Sequence, residues 1–127
     1  MVVEDETLLL QAISKKLEFS GLKPVSCTSG EQAIDYLNNL PELPSVIWLD
    51  YRLKEMDGLG FLEVLKANPL WAKIPVVVVS NSASPEKVHN MLALGANKYL
   101  LKAEYRLDQI IDTVKEFVAK DSETSIV

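Results

Sequence analysis

Short apolar runs alternate along this chain with stretches whose apolar residues recur every three or four positions. Val2-Val3, Pro24 to Cys27, Val46 to Leu49, Val76 to Val79 and Lys98 to Leu101 are brief and apolar or β-branched, and they read as strands. Between them, Leu9, Ile13 and Leu17 place one apolar stripe on a helix from Thr7 to Phe19, closed by Gly21. Ser29 or Gly30 opens a second helix to Asn39, with Ala33, Ile34 and Leu37 inward. Gly58 to Ala67 makes a third around Phe61, Leu62 and Leu65. Ser84 and Pro85 start a fourth that ends at Gly95, and Leu107 to Val118 carries the stripe Ile110, Ile111, Val114 and Val118. The runs at Val46 and Val76 lack polar alternation, as central parallel strands covered on both faces do. Strands alternating with helices in this way predict an α/β fold with a five-stranded, doubly wound parallel sheet. In the strand order 2-1-3-4-5, such a sheet forms a three-layer α/β/α sandwich.

Composition narrows the function classes. A chain of 127 residues fits one core, and 48% hydrophobic with 24% charged residues is globular rather than disordered. The run Ile74 to Val79 is too short to cross a bilayer, and no basic segment followed by an apolar stretch marks a secretory signal, so no membrane role is expected. The lone Cys27 supports no disulfide framework, which suits a cytoplasmic protein, and reads as a small packed residue. A net charge of −5 argues against direct nucleic-acid binding.

The chemistry lies where the strands stop. Ligands of an open α/β sheet sit beyond the carboxyl ends of its strands. There the first strand delivers Glu4-Asp5, the third Asp50, the fourth Ser80 and the fifth Lys102. In the expected order the first and third strands are neighbours, which brings Asp5 and Asp50 together. Three carboxylates in one crevice suit a hard divalent cation, Mg²⁺ or Mn²⁺. One carboxylate can then attack phosphorus, with Lys102 and the Ser80 hydroxyl neutralising the transferred group. Taken singly, Asp50 is a turn or cap residue, Ser80 a loop residue, Lys102 a solvated lysine, and Asp57-Gly58 a turn that opens a helix. Their convergence at separate strand ends is what turn chemistry does not require.

The stretches Val3-Glu4-Asp5-Glu6, Ile47 to Leu53 with Met56-Asp57-Gly58, Val78-Val79-Ser80, Gly95-Ala96 and Tyr99 to Lys102 resemble the receiver domain of two-component response regulators. The resemblance covers residues 1–119 and leaves 120–127 as a polar C-terminal tail. It implies that Asp50 is the phosphoacceptor, that Glu4, Asp5, Asp50 and the Arg52 backbone carbonyl form the Mg²⁺ pocket, and that Ser80 and Tyr99 are a switch pair. Lys102 would pair with the phosphoryl group, and the donor would be a histidine kinase or a histidine phosphotransfer protein. Such a module is a signalling switch rather than a turnover enzyme. The sequence departs from the family pattern at Lys54 and Ala103, where proline is common, and at Asn81, where a small residue is usual. The Lys102-Ala103 bond is then either trans, with Lys102 placed differently, or cis and strained.

Receivers resembling this chain dock kinases along their first helix, which marks Leu10, Gln11 and Ser14 as a partner contact. Arg52, two residues past Asp50, is placed to cover the phosphoryl group. A second, switch-sensitive surface is expected along the fourth helix, fifth strand and fifth helix, gripping an unspecified downstream protein. The alternative from another class is a degenerate receiver, a phosphorylation-independent adaptor favoured by Asn81 and Ala103. A flavin-binding reading founders on the acidic Glu4-Asp5-Glu6, and an aspartyl phosphatase would carry a D-x-D pair that Asp50-Tyr51-Arg52 lacks.

Overall fold

The computed structural model describes residues 1–82 and 84–126, with residues 120–126 described for their backbone only. Ten elements alternate along the chain: β1 (Val2–Val3), α1 (Thr7–Phe19), β2 (Ser26–Cys27), α2 (Gly30–Asn39), β3 (Ile47–Asp50), α3 (Gly58–Ala67), β4 (Val76–Ser80), α4 (Pro85–Leu94), β5 (Lys98–Leu101) and α5 (Leu107–Ile126). The strands form one parallel sheet in the order β2-β1-β3-β4-β5, as the sequence implies. The expected tail over 120–127 falls where side chains lie outside the described residues, while the α5 backbone runs on past Val118.

Both faces of the sheet are covered, and the middle strands feed both cores. Ile47, Leu49, Val76 and Val78 point toward α2, α3 and α4, where they meet Ala33, Leu37, Phe61, Leu62, Leu65 and Met91. Trp48, Val77 and Val79 point the other way, against Leu10, Ile13 and Leu17 of α1 and Ile110, Ile111 and Val114 of α5. This is why β3 and β4 show no polar alternation. Trp48 is buried with its indole N–H unpartnered. Burial pushes the Cys27 thiol up to about 12, although the nearby amino terminus opposes it, so this cysteine stays an inert packed residue.

Caps fix the helix starts where the sequence places them. Ser29, Asp57 and Ser84 accept hydrogen bonds from the backbone N–H groups of Gln32, Gly60 and Lys87. Pro85 occupies the first turn of α4, and Gly95 ends that helix at φ +118°, a conformation side chains rarely adopt. At the start of β4, Asn97 grips Val76 twice: its N–H donates to the Val76 carbonyl and its side-chain oxygen accepts from the Val76 N–H, each at 2.9 Å.

The inward stripe of α1 differs from the expected one in a single leucine. Leu10, Ile13 and Leu17 are buried, whereas Leu9 is half-buried at the margin. Spacings of three and four bring Leu10 into line with Ile13 and Leu17, and the helix turns this face to the sheet.

Candidate functional site

The carboxyl edge of the sheet gathers the residues that the strand ends nominate. Asp50 and Ser80 belong to the last ladder positions of β3 and β4, where Asp50 pairs with Val79 and Ser80 with Leu101. They are thus held by the sheet rather than by loops. Just past β1, the Glu4 N–H donates to the Cys27 carbonyl at 3.0 Å, and past β5 the Lys102 N–H donates to the Ser80 carbonyl at 2.8 Å.

Carboxylate oxygens of Glu4, Asp5 and Asp50 lie within 4.8 Å of one another, an oxygen-only donor set that fits Mg²⁺ or Mn²⁺. Glu4 is 1% exposed and Asp50 6%, while Asp5 is half-buried at the opening. The Lys102 ammonium donates to Glu4 Oε1 at 3.0 Å and to Asp50 Oδ2 at 3.4 Å. The other oxygens accept from the backbone: Asp50 Oδ1 from the Arg52 N–H and Glu4 Oε2 from the Glu6 N–H, each at 3.3 Å.

These contacts set the charges. Burial, then the Glu4 carboxyl beside it, pushes Asp50 up to about 7, with Lys102 pulling the other way. Burial would raise Glu4 too, but hydrogen bonds from Asp50 and Lys102 outweigh it and hold Glu4 low. Lys102 is raised despite its burial, because both carboxylates favour its charged form. Without metal the site thus opposes charge on Asp50 and favours it on Glu4. A divalent cation beside them would favour the charged form of Asp50.

Every peptide bond among the described residues is trans, including Lys102-Ala103, and Lys102 still reaches both carboxylates. Ala103 therefore does not displace it. Asn81 is exposed, and the loop at Lys54 is followed by Glu55 at φ +62°. Ser80, 1% exposed, accepts at Oγ from the Ser82 N–H at 3.3 Å. The half-buried Tyr99 donates its hydroxyl to the Ser82 carbonyl at 2.8 Å, so Ser82 joins the two expected switch residues. The Arg52 side chain is exposed beside the site.

Three neighbours were not foreseen. Gly58 sits where a Cβ would lie 2.7 Å from the Asp50 carbonyl oxygen and 2.8 Å from Tyr51 Cα, and its N–H donates to the Tyr51 carbonyl at 2.7 Å. A side chain there would push the end of β3 away from α3. Tyr51 packs its ring 6.5 Å from that of Tyr99, tilted by 49°, and the Lys87 ammonium stands 5.1 Å from the Tyr51 ring centre. Tyr51 could be noticed as an aromatic next to Asp50, but its pairing with α4 is invisible without the fold.

Leu10, Gln11 and Ser14 border one groove of about 710 Å³ beside α1. As a contact residue Leu10 must be corrected: it is 5% exposed and committed to the core, while Leu8, on the same groove, is 77% exposed. Gln11 is exposed, and the hydroxyls of Ser14 and Ser26 lie 2.6 Å apart. Among the described residues no helix is long and apolar enough to cross a membrane.

The family pattern of the response regulator receiver domain matches residues 1–115. The phosphate regulon transcriptional regulatory protein PhoB of Klebsiella pneumoniae is 32% identical over 102 residues, 80% of this chain and 44% of its own length. The chain spans about half the length of such curated relatives. Among solved structures, the receiver domain of the Francisella response regulator 1452 superposes with a TM-score of 0.83 at 25% identity, covering 94% of this chain and 95% of that one. The phosphorylated cyanobacterial phytochrome response regulator RcpA superposes at 0.77 with 29% identity, covering 91% and 86%.

Proposed function

The chain belongs to the receiver domains of two-component response regulators, and from that premise we propose that Asp50 accepts a phosphoryl group from a phosphohistidine and thereby switches a protein-binding surface. The observation that carries this reading is the convergence of Glu4, Asp5, Asp50 and Lys102 at the carboxyl edge of the sheet. An ionised Asp50 oxygen attacks phosphorus while the bond from phosphorus to the imidazole nitrogen breaks. The electron pair leaves with that nitrogen, and an acyl phosphate remains on Asp50.

Glu4, Asp5, Asp50 and the Arg52 backbone carbonyl would hold Mg²⁺, which supplies charge neutralisation for the transferring group. Lys102 leaves Glu4 to pair with a phosphoryl oxygen. Ser80, one strand over, turns its hydroxyl toward another, and the Ser82 link carries that movement to Tyr99. Residues 1–119 carry this activity in the cytoplasm, with a histidine kinase or histidine phosphotransfer protein as donor and a downstream protein as reader. The adaptor alternative gains nothing from Asn81, which is exposed, or from Ala103, which leaves Lys102 in reach.

Intact mass after incubation with Mg²⁺ and acetyl phosphate tests the reading. A gain of one phosphoryl group, dependent on Mg²⁺ and absent in Asp50→Asn, is expected. No gain in folded, Mg²⁺-binding protein would overturn it in favour of the adaptor.

A further inference from the structure

Tyr51 is the residue after the acceptor, and its surroundings come from three separate parts of the chain. Its carbonyl is held by the Gly58 N–H at the start of α3, with no room for a Cβ between them. Its ring packs against that of Tyr99 of β5, and the Lys87 ammonium of α4 stands over it. Lys87 is in the first turn of α4, where its backbone N–H is capped by Ser84.

We infer that Tyr51, in contact with both Lys87 and Tyr99, is a positioning residue that ties the first turn of α4 to the state of Asp50. The inference rests on the reading of Asp50 as phosphoacceptor. The Arg52 N–H is bonded to the Asp50 carboxylate, so residues 50 to 52 form a short loop closed on the acceptor itself. Phosphorylation turns one carboxylate oxygen into a bridging oxygen, a weaker acceptor, and sets two negative charges beside it. Either the Arg52 N–H or Lys102 must then find a new partner, and Tyr51 lies between Asp50 and Arg52 in the chain.

The Gly58 contact pins the Tyr51 carbonyl, so the adjustment is taken up by the ring. A cation over an aromatic face is held by the ring's quadrupole, and that hold depends on where the face points. The Tyr51 ring therefore passes its movement to Lys87 and α4, and the new phosphoryl charge pulls on the same ammonium. This route uses ring contacts rather than the hydrogen bonds that join Ser80, Ser82 and Tyr99, and the two meet at Tyr99.

The test measures amide hydrogen exchange in the first turn of α4, with and without beryllofluoride and Mg²⁺, a mimic of the phosphorylated state. In the unmodified protein, loading is expected to change this exchange. Lys87→Met and Tyr51→Leu should shrink the change by about two- to five-fold. Lys87→Arg and Tyr51→Phe, which keep the cation and the ring, should retain it. The double variant Lys87→Met/Tyr51→Leu should be no worse than either single one, because both remove the same contact. A merely structural role would alter exchange in the unloaded protein and leave the response to loading intact. Full responses in Lys87→Met and Tyr51→Leu, or additive losses in the double variant, overturn the inference alone. Unmodified protein that takes neither beryllofluoride nor a phosphoryl group overturns the acceptor reading and the inference with it.

Discussion

The Lys102 ammonium lies 3.0 Å from Glu4 Oε1, closer than the 3.4 Å that separates it from Asp50 Oδ2. In the resting protein this cation therefore serves first as the counter-ion of a buried glutamate. Lys102→Met would leave the Glu4 charge buried and unpaired. A loss of about 3 kcal/mol in metal-free protein is expected, the low end for breaking a buried pair because Lys102 is partly exposed. Urea denaturation in EDTA reads it, and Mg²⁺ should restore part. Unchanged stability in EDTA would show that Glu4 does not depend on Lys102.

The raised Asp50 carboxyl makes stability depend on pH. Its folded value of about 7 stands above the ordinary carboxylate value, so between the two the folded state binds the extra proton. Stability from this group is fully present at acid pH and is lost as pH rises through 7. Asp50→Asn cannot titrate there. Its melting temperature should gain on that of the unmodified protein from about pH 4 upward, and level off above about pH 7. The lowered Glu4 runs in the opposite direction but is present in both proteins. Mg²⁺ should narrow the gap, and parallel curves without metal would contradict the raised Asp50 carboxyl.

Glu55 adopts φ +62°, a left-handed conformation that L-residues pay to enter. Asparagine tolerates it better. Glu55→Asn is expected to stabilise the protein by about 0.5 kcal/mol, and the β-branched Glu55→Val to destabilise it by about 1 kcal/mol. Chemical denaturation of the three proteins checks the ranking.

The α1 groove separates two adjacent leucines. Leu8→Glu places a charge on an exposed position and should leave melting unchanged while slowing phosphotransfer from a histidine phosphotransfer protein. Leu10→Glu buries a carboxylate in the core and should unfold the protein. Equal transfer rates for Leu8→Glu and the unmodified protein would remove this groove from the docking surface.

Arg52 offers a test of phosphoryl lifetime. Its side chain is exposed two residues past Asp50, where a guanidinium can shield the acyl phosphate from water. Arg52→Ala should shorten the decay half-life severalfold after acetyl phosphate is removed. Identical decay would assign the shielding elsewhere.

Much of this site is legible in the sequence because its residues sit at strand ends, which apolar runs reveal. Capping residues fixed helix starts as well: Ser29, Asp57 and Ser84 each hold the N–H that such caps satisfy. The three consecutive leucines of α1 were ambiguous, since choosing between Leu9 and Leu10 requires knowing which way the helix faces the sheet. Lys87 was unreadable for a similar reason. Nothing local marks a lysine whose partner lies across the fold, just past β3. Ser82 and Gly58 act through backbone atoms and missing volume, which residue type only hints at.

The valines of β4 make that strand nearly indifferent to which way it faces. Moved by one residue, it would still offer valine to each side over most of its length, so hydrophobic pattern alone sets its register weakly. Such a slip would move Ser80 from its place one residue beyond the level of Asp50. Discrimination between the two alignments falls to polar contacts, and the paired grip of Asn97 on Val76 supplies it at the far end of the strand. A residue remote from any phosphorus chemistry thus acts as the vernier mark from which the position of the Ser80 hydroxyl is counted.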